Sequence, residues 1–392
     1  MRICFITGKY PTKDYPVNTF LDKLVCEMAD QGVECTVIAP YRPFIERLKG
    51  NNYKTPFYRE RITPRGNVVK IYSPRCIWTS NKTVAGINMA KIGLKKFIKC
   101  AHRVIRKQNI EFDAVYGHFI YPSGYAAAQI GKIYNKPSFF AYGESSFDIV
   151  TKCFTEEQTR EGLKTISGVI AVSSKNRDEL LAHRIVEPQR IRVFPNAIDN
   201  GLFRPIDKAA VRDKLGIGRD DFLVAFVGHF IKRKGSLRVS DALKRFDDVK
   251  SIFIGAGPEE PDCDNIIYKG RLSHDEIAEY LNVADVFVLP TLAEGCCNAI
   301  VEAMACGLPI ISSNLPFNDD ILDESNSIRI DPNSVDEIVA AIRELKDNKE
   351  KRECMSKASL ALASDLTIDQ RAQRILSFIE ESRNICLCQA DK

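Results

Sequence analysis

The sequence predicts an α/β fold: two consecutive doubly wound domains, each a parallel sheet with helices on both faces. Three observations predict it. Short apolar runs alternate with longer amphipathic segments along almost the whole chain, the pattern of βαβ units rather than of hairpins. At 392 residues the chain has room for two such domains. Breakers concentrate in Pro195-Asn196-Ala197-Ile198-Asp199-Asn200-Gly201 and Pro205, which places a domain boundary at residue 200.

In the first half, strands are expected at 3–6, 34–39, 114–116, 138–141, 169–172 and 191–194. A helix over 19–31 places Phe20, Leu24 and Met28 on one face and stops at Gly32. Residues 41–81 read as irregular. They interleave Arg42, Arg47, Lys49, Lys54, Arg59, Arg61, Arg65 and Arg75 with Phe44, Tyr53, Phe57, Tyr58 and Trp78. Aromatic rings among cations suit a lipid headgroup or lipid diphosphate; no nucleic-acid fold accompanies them. The helix over 90–107 is strongly two-sided. Ala90, Leu94, Phe97, Ala101, Val104 and Ile105 form its apolar face, and Lys91, Lys95, Lys99, His102, Arg103, Arg106 and Lys107 a solvated basic one. In the second half, strands are expected at 222–227, 251–254, 266–268, 286–289 and 310–312. A last helix over 367–383 places Ile368, Ala372, Ile375, Phe378 and Ile379 on one face. Such domains bind ligands outside the carboxyl ends of their strands, here expected between the two domains.

Composition narrows the class. Apolar residues at 45% and charged residues at 27% are ordinary for a globular protein, and no apolar run reaches bilayer length. Residues 2–8 read as a first strand and turn rather than as a leader peptide. The 13 cysteines are odd in number and dispersed, and neither Cys296-Cys297 nor Cys386-x-Cys388 has zinc-ligand spacing. Free thiols in a reducing cytoplasm are the expectation. Residues 1–200 carry 31 Lys or Arg against 18 Asp or Glu, whereas residues 201–392 carry 25 against 33. The basic half suits an anionic partner such as a membrane surface.

The most informative stretch is 290–309, where Glu294 and Glu302 stand with seven residues between them. Glu294 falls in a tight loop after the strand at 286–289, and Glu302 in the helix that follows. A helix start carries partial positive charge and unpaired N–H groups suited to phosphate. Carboxylates before it and within it accept hydrogen bonds from hydroxyls. Phosphate flanked by hydroxyls describes a nucleotide-activated sugar. The run Gly228-His229-Phe230-Ile231-Lys232-Arg233-Lys234-Gly235 adds a glycine turn and clustered cations after the strand at 222–227, able to cradle a diphosphate. Gly255-Ala256-Gly257-Pro258 lacks a third glycine and runs into Glu259-Glu260-Pro261-Asp262. It is therefore a tight turn rather than a dinucleotide fingerprint.

These pieces together resemble the retaining glycosyltransferases of the GT-B fold, the large group 4 class. Phe226-Val227-Gly228-His229 with Lys234-Gly235 resembles the phosphate-binding segment, and 290–309 the Glu-x7-Glu signature. Pro195-Asn196-Ala197-Ile198-Asp199 with Phe203-Arg204-Pro205 resembles the interdomain linker. Val172-Ser173-Ser174 and His118-Phe119 with Pro122-Ser123-Gly124 resemble first-domain segments. The resemblance implies two Rossmann-like domains facing a central cleft: an acceptor domain over 1–200, a donor domain over 201–366, and a helix over 367–392 crossing back to the first. It implies that Glu302 binds ribose hydroxyls and Glu294 the donor sugar. Backbone N–H groups of Cys296, Cys297, Asn298 and Ala299 would approach the distal phosphate and sugar, and Gly295 belongs to the same implied donor set. Lys234 would stabilise the leaving diphosphate. Gly228, His229, Arg233, Arg271, Gly8 and Asn18 complete the implied donor set. The family works without a metal cofactor, in agreement with the lack of an Asp-x-Asp motif.

This chain also departs from the family pattern. His229 stands where the family has arginine, with Arg233 as a second cation nearby. Asn18 and Thr19 stand where it has paired glycines. Tyr142 stands where a first-domain histidine is usual, which leaves His118 and Glu144 as candidate acceptor bases. The expectation is a hexosyltransferase acting with retention, from a nucleotide sugar with uridine as base, to a growing lipid-linked glycan at the cytoplasmic membrane face. Two alternatives stay open at this point: a nucleotide-sugar epimerase of related shape, and a non-catalytic nucleotide-sugar binding protein.

Overall fold

The computed structural model describes residues 1–390 apart from 13, 14, 16, 44–46, 48–54, 77–82 and 85. Phe44, Lys49, Tyr53, Lys54 and Trp78 of the aromatic and basic segment lie outside the described residues. The chain divides into two compact units, Met1–Phe194 with Asp369–Lys392, and Pro195–Ile368.

The first unit is built on strands β1 (Arg2–Ile6), β2 (Glu34–Ile38), β3 (Tyr58–Ile62), β4 (Val68–Tyr72), β5 (Thr83–Val84), β6 (Ile87–Asn88), β7 (Ala114–His118), β8 (Ser138–Tyr142), β9 (Gly168–Ala171) and β10 (Ile191–Val193). Its main sheet runs β10-β9-β8-β7-β1-β2-β4-β3, parallel throughout except for the β3–β4 pair; β5 and β6 form a separate small ribbon. The central strands read as continuous apolar runs because helices cover both faces of the sheet. β7 and β8 are buried at every position.

The expectation of an irregular 41–81 is corrected here. Within it, β3 and β4 form an antiparallel hairpin on the sheet edge, turned by Pro64-Arg65-Gly66-Asn67 with Gly66 at φ 87°. Only Val69 and Ile71 of β4 are fully buried, the period-2 signature of a half-covered edge strand. The surrounding arginines masked that alternation.

Helix Met89–Lys107 buries Ala90, Leu94, Phe97, Ala101, Val104 and Ile105, the face the periodicity marks. Lys91, Lys95 and Lys99 stay exposed. With Leu94, Ile98 and Phe154 they line an open groove of about 880 Å3. Helix Ile368–Ala390 belongs to the first unit from Asp369 onward and buries Ala372, Ile375, Phe378 and Ile379. Phe378 packs edge-on against Phe139, with ring centroids 5.9 Å apart, and fills the space beside Gly168.

The second unit is wholly parallel. Strands β11 (Phe222–Val227), β12 (Val249–Ile254), β13 (Ile266–Gly270), β14 (Val286–Leu289), β15 (Ile310–Ser313) and β16 (Ser327–Ile330) lie in the order β13-β12-β11-β14-β15-β16. The sequence reading omitted β16, whose alternation is weak because Ile328 and Arg329 are only half-buried. Each unit has one topological switch point: β1 beside β7 in the first, β11 beside β14 in the second. The connections from β1 and from β11 leave towards one edge of the sheet and the chain later returns on the other side. Crevices at the carboxyl ends of such strand pairs are where open α/β sheets bind ligands.

Among the described residues, no helix is long and apolar enough to cross a membrane. The cysteines described in side-chain detail are free thiols, and nearly all are buried.

Candidate active site

At the switch point of the second unit, two loops meet. The first follows β11, whose six residues are all buried, and runs from Gly228 to Gly235. Gly235 sits at φ 82° and opens helix Ser236–Leu243. The left-handed conformation needs glycine, and a Cβ there would lie 2.9 Å from the Pro290 ring of the second loop. The first loop is also locked from its other side. Gly228 N–H donates to Ile254 and Phe230 N–H to Ala256, and Gly255 approaches so closely that a Cβ would stand 1.9 Å from the Gly228 carbonyl oxygen. Gly255-Ala256-Gly257 is thus the tight turn the sequence suggests, with a definite task. It holds the cation loop in place.

The second loop follows β14. Ser312 and Ser313 of β15 donate to the carbonyls of Leu289 and Thr291 at 2.8 and 2.5 Å, and Arg238 to that of Pro290 at 2.7 Å. Leu292 N–H donates to the Arg233 carbonyl at 2.8 Å, joining the two loops directly.

The joined loops converge on Glu294. Its Oε1 lies 2.6 Å from Lys234 Nζ and 2.7 Å from Arg233 Nη1, and accepts from Thr291 Oγ1 at 2.7 Å. Glu294 and Lys234 are each only 9% exposed and Thr291 is fully buried, so these charges act in a medium less polar than water. Burial opposes the Lys234 ammonium, but Cys297 and Glu294 outweigh it and hold its pKa above the ordinary lysine value. Burial pushes the Cys297 thiol up, with its Sγ 3.8 Å from Lys234 Nζ.

Helix Asn298–Ala305 starts beside this cluster. No side-chain cap of the usual kind closes it among the described residues, and the N–H groups of Ala299 and Ile300 turn towards the Cys297 thiol. Asn196 holds the approach to that start, donating to the Cys296 carbonyl at 2.9 Å and to Asn298 Oδ1 at 2.7 Å. Glu302 lies half-buried in the next turn of the helix. The arrangement offers buried cations, a helix start and two carboxylates, a set able to hold an anion with hydroxyls on either side.

The structure brings Arg233, Lys234, Glu294, Cys297 and Asn298 of the expected residues together, with Gly228, Gly295, Cys296, Ala299 and Glu302 on the same loops and helix. His229 is exposed on the first loop, and Arg271 is exposed just beyond β13. Thr291 and the bracing role of Asn196 escaped the sequence reading. A hydroxyl three residues before a loop glutamate was the available signal for Thr291.

Gly8, Asn18 and His118 lie in the first unit, where all three line one cavity at its switch point. His118 is held neutral, its pKa lowered to about 3 by burial and by the charge of Arg371. So weakly basic a ring can accept a hydrogen bond from a hydroxyl but retains a proton poorly. Glu144 is pushed up to about 7 by burial, against the pull of its backbone donors. Its oxygens accept from Ile120 N–H at 2.8 Å and Gly143 N–H at 3.1 Å, tying two strand-end loops together; it does not line the cavity. Tyr142, at the usual histidine position, is fully buried. Its hydroxyl donates to Glu179 at 2.6 Å, and Glu179 also accepts from Phe147 N–H at 2.9 Å. Tyr142 is a brace for the loop after β8.

Comparison with known proteins identifies the family and the fold. The family profile described as Glycosyl transferases group 1 matches residues 207–361, and that of Glycosyltransferase Family 4 matches 17–201. Bacillus subtilis TuaC, a glycosyltransferase assigned to teichuronic acid biosynthesis, is 25% identical over 87% of this chain and 88% of its own length. The Escherichia coli UDP-Gal:α-D-GlcNAc-diphosphoundecaprenol α-1,3-galactosyltransferase is 30% identical over 47% of this chain and 53% of its own. Among solved structures, sucrose-phosphate synthase from Thermosynechococcus elongatus superimposes with TM-score 0.76 at 17% identity, covering 97% of this chain and 98% of that one. Anabaena HepE in complex with UDP does so with TM-score 0.71 at 17% identity, covering 97% and 100%. The fold is GT-B.

Proposed function

The chain belongs to the glycosyltransferases of this GT-B class, and we propose that it moves a hexose, with retention, from a UDP-sugar to a growing lipid-linked glycan in cell-surface polysaccharide biosynthesis. The observation that carries the donor side is the convergence of Lys234, Arg233 and Thr291 on one Glu294 oxygen beside the start of helix Asn298–Ala305. Support for the acceptor class comes from the relatives named for teichuronic acid synthesis and for a diphosphoundecaprenol acceptor. Uridine is supported by the UDP named for the E. coli relative and for HepE.

The chemistry follows from charge. With no ligand, Glu294 is the counter-ion of Lys234 and Arg233. An entering diphosphate competes for both cations and releases the carboxylate to accept hydroxyls of the donor sugar. Glu302 takes the ribose hydroxyls, and the helix-start N–H groups meet the distal phosphate. As the glycosidic bond breaks, negative charge grows on the departing diphosphate, where Lys234 is already desolvated and in place. In a front-face retaining path that phosphate takes the acceptor proton, so no strongly basic side chain is needed. The proposed reaction requires no metal cofactor. The enzyme would work at the cytoplasmic face of the membrane, where lipid-linked acceptors are presented.

The test is a thermal-shift screen across nucleotide sugars followed by transfer assays. A ligand at a hundred times its dissociation constant stabilises by about 2.7 kcal/mol. The expected result is a shift with UDP-sugars, and a loss of transfer of about a hundredfold or more in Glu294→Ala with circular dichroism unchanged. If no nucleotide sugar binds or turns over, the proposal is wrong. Binding without turnover in the wild type would favour the non-catalytic reading.

A further inference from the structure

Two thiols of the first unit meet although their elements are separate in the sequence. Cys76 follows β4, and Cys100 lies on helix Met89–Lys107. Both backbones are fixed. Cys76 N–H donates to the Tyr41 carbonyl at 2.8 Å, and Arg75 pairs with Tyr41 in a parallel bridge just beyond β2 and β4. Cys100 belongs to the helix whose Phe97, Ala101 and Val104 are buried in the same core cluster as Cys76, and it packs against that cluster. Cys100 Sγ donates to the Arg75 carbonyl at 3.9 Å, immediately before Cys76 in the chain, and the two thiols are hydrogen-bonded to each other.

The pair differs from the other buried thiols of the unit. Burial pushes Cys4, Cys26 and Cys35 up. The hydrogen bond with Cys100 instead holds Cys76 below the ordinary thiol value, against burial, and the charges of Lys96 and Arg42 act in the same direction. The same hydrogen bond, with burial, raises Cys100. Cys76 is therefore the better thiolate and Cys100 the better thiol, the division between an attacking and a resolving cysteine. Cys76 is 8% exposed and Cys100 more so, which leaves an approach for a reagent little larger than water.

We propose that Cys76 and Cys100 form a reversible disulfide, an oxidant-responsive tether between the segment after β4 and helix Met89–Lys107. The oxidant class is a peroxide. Cys76 sulfur attacks one peroxide oxygen, the O–O bond breaks, and a sulfenic acid and one water result. Cys100 sulfur then attacks the sulfenic sulfur, the S–O bond breaks, and the hydroxyl leaves with the Cys100 proton as a second water. Two thiols have lost two electrons and two protons, and a low-molecular-weight thiol returns them by exchange. Where such reductants are abundant, a bridge of this kind is transient and reports oxidation. It closes a loop of about 25 residues around the β5–β6 ribbon and stabilises the unit by restricting its unfolded chain. The proposal is independent of the glycosyl-transfer reading, because neither its chemistry nor its test involves a sugar.

The experiment treats the full folded chain with stoichiometric hydrogen peroxide, alkylates the remaining thiols, digests it and maps the linked peptides by mass spectrometry. The Cys354→Ser variant, which lacks an exposed thiol of the second unit, serves as background against links between molecules. The expected product joins Cys76 to Cys100 with the loss of two hydrogen atoms, and dithiothreitol reverses it. The oxidised protein should unfold about 3 °C or more above the reduced one. Cys100→Ser, a change at a half-buried position, should stop at a Cys76 sulfenic acid that dimedone captures. In Cys76→Ser, oxidation of Cys100 should slow about tenfold or more, the loss of the thiolate that begins the reaction. Peroxide that oxidises Cys354 of wild type while leaving Cys76 and Cys100 as thiols overturns the proposal. So does a link from Cys76 to any other cysteine in the folded chain, or oxidation of Cys100 at an unchanged rate without Cys76.

Discussion

Two side chains show how burial assigns chemistry to a residue. Glu294 is a buried carboxylate, and Lys234, Arg233 and Thr291 surround one of its oxygens. In the proposed reaction a phosphate draws the two cations away and leaves this oxygen to a sugar hydroxyl. His118 shows the opposite case. Its native pKa is lowered to about 3, against about 6.5 for an unperturbed imidazole. Between those values the unfolded chain binds the extra proton. The stability His118 contributes is complete above about pH 6.5 and is lost as pH falls through that window, at up to about 1.4 kcal/mol per pH unit. Wild type should therefore lose about 2 kcal/mol more than His118→Asn between pH 6.5 and pH 5, measured by denaturant unfolding. Parallel losses in the two proteins would show that His118 is not held neutral. In the sequence His118 and Glu144 are equal candidates for an acceptor base. Only burial and partners separate them, placing His118 on the cavity wall and Glu144 in a clamp between loops.

Among the elements, the loop from Gly228 to Gly235 depends on a turn that carries none of the proposed chemistry. Gly255, at φ 155°, lets the 255–257 turn press against Gly228, and Gly257 approaches the Phe230 carbonyl in the same way. Gly255→Ala should cost about 2 kcal/mol or more, since neither the φ nor the 1.9 Å approach accommodates a Cβ. It should also weaken UDP binding by displacing the Lys234 loop. Gly216→Ala is the control. Gly216 has φ 68° with nothing within 4 Å of an added Cβ, so it should lose about 1 kcal/mol and leave UDP affinity intact. Equal effects on UDP binding would disprove the coupling between turn and loop. The strands at 222–227 and 286–289 match observation residue for residue, because continuous apolar runs in a two-sided core have few alternative readings. The edge elements were harder. β3 and β4 carry arginines and aromatics on an open face, and β16 is half covered, so their hydrophobic signal is diluted where burial is partial.

For the whole molecule, charge is the property that composition alone settles. The excess of Lys and Arg within residues 1–200, and of Asp and Glu beyond, is independent of any fold. The first unit presents part of its excess as the exposed row Lys91, Lys95 and Lys99. The full chain should cosediment with vesicles containing anionic lipid and be released as salt rises from about 0.1 M to about 1 M, where the screening length falls from about 10 to about 3 Å. A protein that never sediments, or that sediments regardless of salt, would remove the electrostatic attachment from the proposal. The α/β class, the cluster of breakers over 195–205, the buried central strands and the family resemblance of the 290–309 run were all determined by sequence by itself. These depend on local apolar periodicity and on short contiguous motifs, which neighbouring residues carry without help. The tertiary structure alone decided which loops meet. Lys234 and Glu294 are 60 residues apart, and Lys9, Arg42 and His118 span more than a hundred, yet strand order brings each set to one switch point. That order is set by long-range packing of strands into sheets, which no local pattern encodes, and it gathers scattered side chains at the two switch points.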